Sequence, residues 1–474
     1  MNRNKIFLWA IVIVALFIHC TTSYITGKRQ FMLISEGEEI NIGSNYAPQI
    51  VFEFGGAYKD DRLDDYVNDV GNSLAGMSHR PTLDYHFKVV NSSVINAFAL
   101  PGGYIFITRG MLDVLRNEAE LAGVLGHEIG HVCARHGASQ MSKAMGFQIV
   151  LYAGLTIDQM FHKSRKADQI RDVVALGSMV IFNMVSLGYG RNNEFEADEL
   201  GDRYMYSTGY DPDGMIGVME VLESLSEEEP GKLEMLFSSH PRTSDRMARV
   251  EKLSKSLKDS SGFEDVEGKF YEKRFSENVK DLKQAQLAYN HYDKAKISFS
   301  EGDIVSAVME LNEALKIRED QAPFYKLMGD IYYKEKRFEN AILEYKKSIQ
   351  QDSSYVYAYH DLGNCEMAMN NYGNAEKYYK KAVELYPEYS SAHFALGLVY
   401  YNINRWEEAA ESLENSMIFD DSIPSSHALL GLSYEKLGKY NEAEIEFRKE
   451  IALGVQGEYL NIAKERLKYY TRQK

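Results

Sequence analysis

Three cysteines in a chain of 474 residues are too few to build a disulfide framework. Cys20 ends an apolar run near the start, while Cys133 and Cys365 fall in what the patterning assigns to different domains, so two buried thiols are expected. Proline is scarce, at 9 residues, and no low-complexity tract occurs, which excludes a collagen-like or globally disordered chain. Basic residues are outnumbered by acidic ones, 53 against 69, for a formal charge of -16. A general nucleic-acid binder needs a basic face to displace counterions from phosphate, so no nucleic-acid partner is expected. Long apolar runs are missing too. The stretch from Ile6 to Ile18 is short for a membrane span, as are 144 to 161 and 173 to 189, which read as core or as a cover beside a membrane.

What is present begins with an export signal. Arg3 and Lys5 precede the Ile6 to Ile18 run, which ends at Cys20, where a bacterial lipoprotein would be cleaved and acylated. An ordinary cleaved signal and an uncleaved anchor are the alternatives, and all three place the body outside the cytoplasm. The expected location is the periplasm, held by a lipid on Cys20 to a membrane, the outer one in preference to the inner. The chain is also too long for one core, so roughly two to three domains are expected.

The C-terminal part repeats. Ala307, Ala341, Ala375, Ala409 and Ala443 are spaced by 34 residues, as are Gly329, Gly363, Gly397 and Gly431. Three residues before each alanine stands a large side chain: Ile304, Phe338, Tyr372, Trp406 and Tyr440. This is the tetratricopeptide period, two antiparallel helices per unit with small residues where they cross. The expected division is a signal over 1–19, an α+β domain over 20–253, a polar linker over 254–282 with helix in part of it, and an all-α solenoid over 283–474 of about five repeats and a capping helix. Tyr357, Tyr359, Tyr378 and Tyr400 either line a concave binding face or fill space between helices.

In the upstream domain, "VINAFALPGGYIFITRG" reads as a β-hairpin around Pro101-Gly102-Gly103, and "EAELAGVLGHEIGHVCARH" as a helix with Leu125, Ile129 and Val132 on its apolar face. Positions four apart on a helix differ by about 40 degrees, so His127 and His131 project side by side and can share one metal. Glu128 sits where its carboxylate reaches a metal-bound water without being a ligand. His-Glu-x-x-His arises by chance about 0.03 times in such a chain, so a third ligand is the useful test. "RNNEFEADELGDRY" supplies Glu194 as that ligand and, one turn on, Asp198 to accept the outer N–H of a ligating histidine. Glu196 points elsewhere and is the less favoured ligand. His136, nearly one more turn along, is read as structural, and Cys133 faces away from the metal.

"NAFALPGGYIFITRG", "LAGVLGHEIGHVCARH", "NEFEAD" and "SSHPRTSDR" occur in this order in metallopeptidase family M forty-eight, which includes the HtpX-type and CAAX prenyl endopeptidases. The chain resembles that family over about residues 24 to 250. With its repeats it is most similar to the BepA-like periplasmic members. The resemblance implies a mainly helical zincin-type domain with a small sheet. It implies one Zn2+ per chain on His127, His131 and Glu194, with Glu128 as general base and later proton donor. His240 would lie near the open metal position, as a fourth ligand or an oxyanion donor, or else simply hydrogen-bonded in a loop. Arg246 would aid the oxyanion or form a plain salt bridge. Asn96, Ala97 and Phe98 begin a strand resembling the edge on which relatives lay extended substrate; a core hairpin without a ligand is the other reading.

Two functions remain open. One is an envelope metalloendopeptidase that cleaves misfolded or stalled envelope proteins, its repeats recruiting substrates or the outer-membrane β-barrel assembly machinery. The other is a chaperone or scaffold whose protease site is latent or incidental.

Overall fold

The structure, a computed structural model, describes residues 20–155, 188–228, 230–241, 244–261 and 269–473. The signal segment, the side chain of Cys20 and most of the two apolar segments lie outside the described residues. β1 (Cys20–Thr22) and β2 (Arg29–Phe31) make an antiparallel ribbon. The expected hairpin forms. β4 (Ala97–Leu100) runs antiparallel to β5 (Tyr104–Thr108), and β3 (His86–Val90) joins the other side of β5 in parallel, giving the order β3-β5-β4. The turn needs glycine twice: Gly102 and Gly103 have φ of +83° and +93°, and a Cβ on Gly102 would come within 2.6 Å of Ile40 Cα. β4 is an edge strand of this sheet, yet all four of its residues are buried.

The histidine helix (Glu118–Cys133) starts at Asn117, whose side chain accepts from the Glu120 N–H at 2.9 Å. Leu125, Ile129 and Val132 face the core as expected, but every other residue of the helix is buried too. The acidic helix (Arg191–Thr208), the helices Asp61–Gly76 and Asp213–Glu228, and β4 pack around it. Small residues set the closest of these approaches. A Cβ on Gly130 would lie 2.8 Å from the Ala197 carbonyl, and one on Gly201 would lie 2.9 Å from the His127 nitrogen, so the two backbones touch.

The histidine helix does not run on through His136. It ends at Cys133, Arg135 adopts a left-handed φ of +58°, and a new helix spans His136–Leu155. The distant residues that hold this strained turn explain why local spacing misses it. Arg135 donates to Glu39 at 3.0 Å and to the Ile34 carbonyl at 2.8 Å, and buried Arg80 pairs with the same Glu39 at 3.3 Å.

Residues 254 to 282 likewise differ from a free-standing linker. A helix continues over Ser244–Ser261, and the segment from 269 packs on the first unit. The Phe270 carbonyl accepts from the Glu118 and Ala119 N–H groups at the start of the histidine helix, Arg274 pairs with Glu118 at 3.1 Å, and Phe275, Val279 and Leu282 are buried. These three apolar residues make a short helical stripe inside a polar stretch. The first unit therefore extends to Gln286 and the second starts at Leu287, inside the helix Lys280–Glu301.

In the second unit the described residues form paired helices: Lys280–Glu301 with Ile304–Ile317, Ala322–Lys334 with Phe338–Gln351, Val356–Ala368 with Tyr372–Leu385, Ser390–Asn402 with Trp406–Phe419, and Ser426–Lys436 with Tyr440–Leu453. The five repeat alanines are fully buried. A Cβ on Gly329, Gly363 or Gly431 would overlap the ring of Tyr345, Tyr379 or Phe447, which is why glycine recurs there. Helix Glu458–Gln473 closes the stack, burying Leu460 and Ala463. Tyr378 packs on a core cluster and Tyr400 is buried, so these two fill space between helices. Cys133 and Cys365 are free buried thiols, as expected. Among the described residues no helix is long and apolar enough to cross a membrane.

Candidate active site

One turn of the histidine helix and the first turn of the acidic helix bring His127, His131 and Glu194 together, and His240, at the end of the short helix Glu234–Ser239, joins them. His127 Nε2 lies 3.0 Å from His131 Nε2 and 3.6 Å from Glu194 Oε2; His131 Nε2 lies 3.4 Å from Glu194 Oε1. His240 Nδ1 is 3.2 Å from both His127 Nε2 and Glu194 Oε2. One donor atom from each of the four residues lies within 4.8 Å of the others, and all four residues are buried. Facing nitrogen lone pairs at 3.0 Å repel unless a cation or proton lies between them. Imidazole and carboxylate donors, closely set and dry, are what a divalent metal requires.

The surrounding charges prepare these donors. Burial holds the His131 imidazole well below its usual pKa, so it stays neutral with a lone pair to give. Burial also opposes charge on Glu194, but His240, His131 and His127 outweigh it and hold the carboxyl well below the usual range. On His240 burial works downward, while Glu194 and Glu128 reverse it and raise the imidazole to about 9. Burial raises Glu128, against the pull of His240 and His127. Glu128 Oε1 is 3.6 Å from His240 Nε2, and its Oε2 accepts no hydrogen bond.

Asp198 Oδ1 stands 2.9 Å from His127 Nδ1. Burial works against its charge, but His127 and Arg246 keep its pKa low. Arg246 spends its donors on carboxylates, reaching Asp198 twice at 2.8 Å and Glu194 at 2.9 Å. A cleft of about 190 Å³ opens beside this cluster, lined by His127, Glu128, His240, Arg246 and Ala97, with Met111, Val124, Met215, Val218 and Phe237 as apolar wall. Phe98 instead stacks on Phe106 and meets Phe54 at a tilt in the core. Asn96 is fully buried; its backbone pairs with Thr108, while both polar atoms of its side-chain amide have no partner.

Three neighbours of the cluster stand where the sequence did not place them: His136 is read there as structural, Glu196 as the less favoured ligand, and Tyr189 is not singled out at all. His136 Nδ1 lies 2.9 Å from His131 Nδ1, Glu196 Oε2 lies 3.1 Å from His136 Nε2, and the Tyr189 ring stacks on His131 with centroids 4.0 Å apart. A helical wheel cannot place His136 here, because the break at Arg135 turns it back.

Residues 61–254 match the family model described as Peptidase family M48; residues 329–365 match a TPR repeat and 368–449 match anaphase-promoting complex, cyclosome, subunit 3. The chain is 28% identical over 225 residues to the Beta-barrel assembly-enhancing protease of Yersinia pestis, covering 48% of this chain and 46% of the relative. It is 34% identical over 170 residues to the Mitochondrial metalloendopeptidase OMA1 of Arabidopsis thaliana, with 35% and 31% covered. It is also 26% identical over 189 residues to the Metalloprotease YcaL of Escherichia coli (strain K12), with 40% and 67% covered. The chain thus spans less than half the length of the first two relatives. The donor cluster falls within residues 61–254, the stretch that matches peptidase family M48, and residues that match a tetratricopeptide repeat follow it.

Proposed function

We propose that this protein is a zinc-dependent endopeptidase of the bacterial envelope, anchored in the periplasm through a lipid on Cys20, that cleaves misfolded or stalled envelope proteins. The reading rests on one observation: His127, His131 and Glu194 converge in a buried site with the unpartnered Oε2 of Glu128 beside them. These donors would hold one zinc ion, which supplies Lewis acidity toward a water and the scissile carbonyl. Glu128 takes the proton from the attacking water and delivers it to the leaving amine, a task that suits a carboxylate made more basic by burial. Asp198 fixes the His127 ring, and Arg246 braces both carboxylates. The Thr108 N–H donates to the Asn96 carbonyl, so strand alternation turns the backbone of Ala97 and Ala99 toward the edge of β4 opposite β5. An extended peptide adds there by main-chain hydrogen bonds, sparing side-chain selectivity, while the adjoining cleft accepts an apolar side chain. The repeats recruit substrates or a partner such as the outer-membrane β-barrel assembly machinery.

The test is cleavage of an unfolded protein by the purified chain. Chelation should abolish it and zinc should restore it, while Glu128→Gln should lower kcat by about 10²- to 10⁴-fold with zinc content unchanged. Undiminished cleavage by Glu128→Gln would contradict the assignment.

A latent or chaperone-like protein is the second reading. It is favoured by His240, whose Nδ1 stands among the donors where a water would otherwise complete the set. His240→Ala raises cleavage if this histidine silences the site and lowers it if the histidine assists.

A further inference from the structure

Zinc ligation, as proposed above, also dictates where the outer protons lie. His131 Nε2 faces the donor cluster, so a metal there uses that lone pair and the ring proton must sit on Nδ1. This nitrogen lies 2.9 Å from His136 Nδ1. Two N–H groups cannot meet head on, so His136 Nδ1 accepts and its own proton sits on Nε2. That atom lies 3.1 Å from Glu196 Oε2, which accepts in turn. His127 needs no such intermediary, because its Nδ1 faces Asp198 directly. Both ligating imidazoles therefore end on a carboxylate, one of them through a second imidazole.

We infer that His136 and Glu196 are positioning residues for the metal: they fix the tautomer and ring orientation of His131 through a two-step hydrogen-bonded chain. The backbone is shaped for this. On a continuous helix a residue five positions on lies about 140 degrees away and could not reach His131. The left-handed Arg135, held by Glu39 and the Ile34 carbonyl, folds His136 back over the ring. His131 and His136 are 1% and 3% exposed, so water does not replace either bond. The Glu196 side chain is 29% exposed and borders a groove of about 240 Å³, so the chain runs from the buried ligand to the surface.

The inference rests on the zinc reading and is tested apart from it, by zinc affinity of the full chain measured in competition with a chromophoric chelator. His136→Leu should weaken binding 10- to 100-fold, the size of effect seen when a ligand's outer partner is removed. His136→Asn, whose amide oxygen can accept from His131 Nδ1, should recover a good part of it. Glu196→Ala, a substitution at a partly exposed site, should show a smaller loss in the same direction and covers the case in which His136→Leu fails to fold. Tight zinc on the wild-type chain and equally tight zinc on the His136→Leu and Glu196→Ala variants would overturn the inference alone. No zinc on the wild-type chain would bring down the zinc reading and this inference together.

Discussion

Arg246 shows how the site pays for gathering so many acids in one dry place. Its guanidinium binds Asp198 in a fork and reaches Glu194, so three of its contacts neutralise two buried carboxylates. Removing one partner of a buried pair leaves an uncompensated charge and costs about 3 to 5 kcal/mol. Arg246→Ala should therefore destabilise the chain by roughly 3 kcal/mol in denaturant unfolding. Arg246→Lys should rescue it only in part, since an ammonium cannot reproduce the fork. Full rescue by lysine would show that only charge matters there.

Between elements, small residues and buried charges decide how helices meet. Gly126, Gly130 and Gly201 let the histidine and acidic helices touch, which brings Glu194 to the two imidazoles. The second unit joins its helices by a charged triad: Lys326 pairs with Asp330 at 2.9 Å and with Asp361 of the next repeat at 3.1 Å, and Tyr345 donates to Asp330. Burial, opposed by Lys326 and reinforced by Asp361, raises the Asp330 carboxyl to about 6. A raised acid stabilises the fold fully below its unfolded value of 3.8 and loses that contribution as pH climbs through about 6. Relative to Asp330→Asn, the wild-type chain should thus lose at most about 3 kcal/mol between pH 4 and pH 7, read from unfolding midpoints. Parallel pH curves for the two proteins would refute the role given to Asp330. The paired helices themselves were legible from the 34-residue step, and so was the hairpin at Pro101. The break at Arg135 was not, because its causes, Glu39 and Ile34, lie about a hundred residues away in the chain.

Across the whole molecule, composition misleads most at 254 to 282. Its polar average hides Phe275, Val279 and Leu282, which bury themselves on the first unit and tie the segment to the start of the histidine helix. Phe275→Ala should cost about 3 to 5 kcal/mol of first-unit stability, against almost nothing for a solvated linker. Within the candidate site, helical spacing alone singled out His127, His131 and Glu194; no local pattern revealed that His136 and Glu196 would stand behind them. The central claim is that those three side chains hold one metal ion. A crystal of the full chain, measured on either side of the zinc absorption edge, tests it most directly. One anomalous peak per chain is expected, with His127 and His131 nitrogens and a Glu194 oxygen about 2.0 to 2.2 Å away. A zinc peak bound elsewhere, or none here in a zinc-saturated crystal, would contradict it.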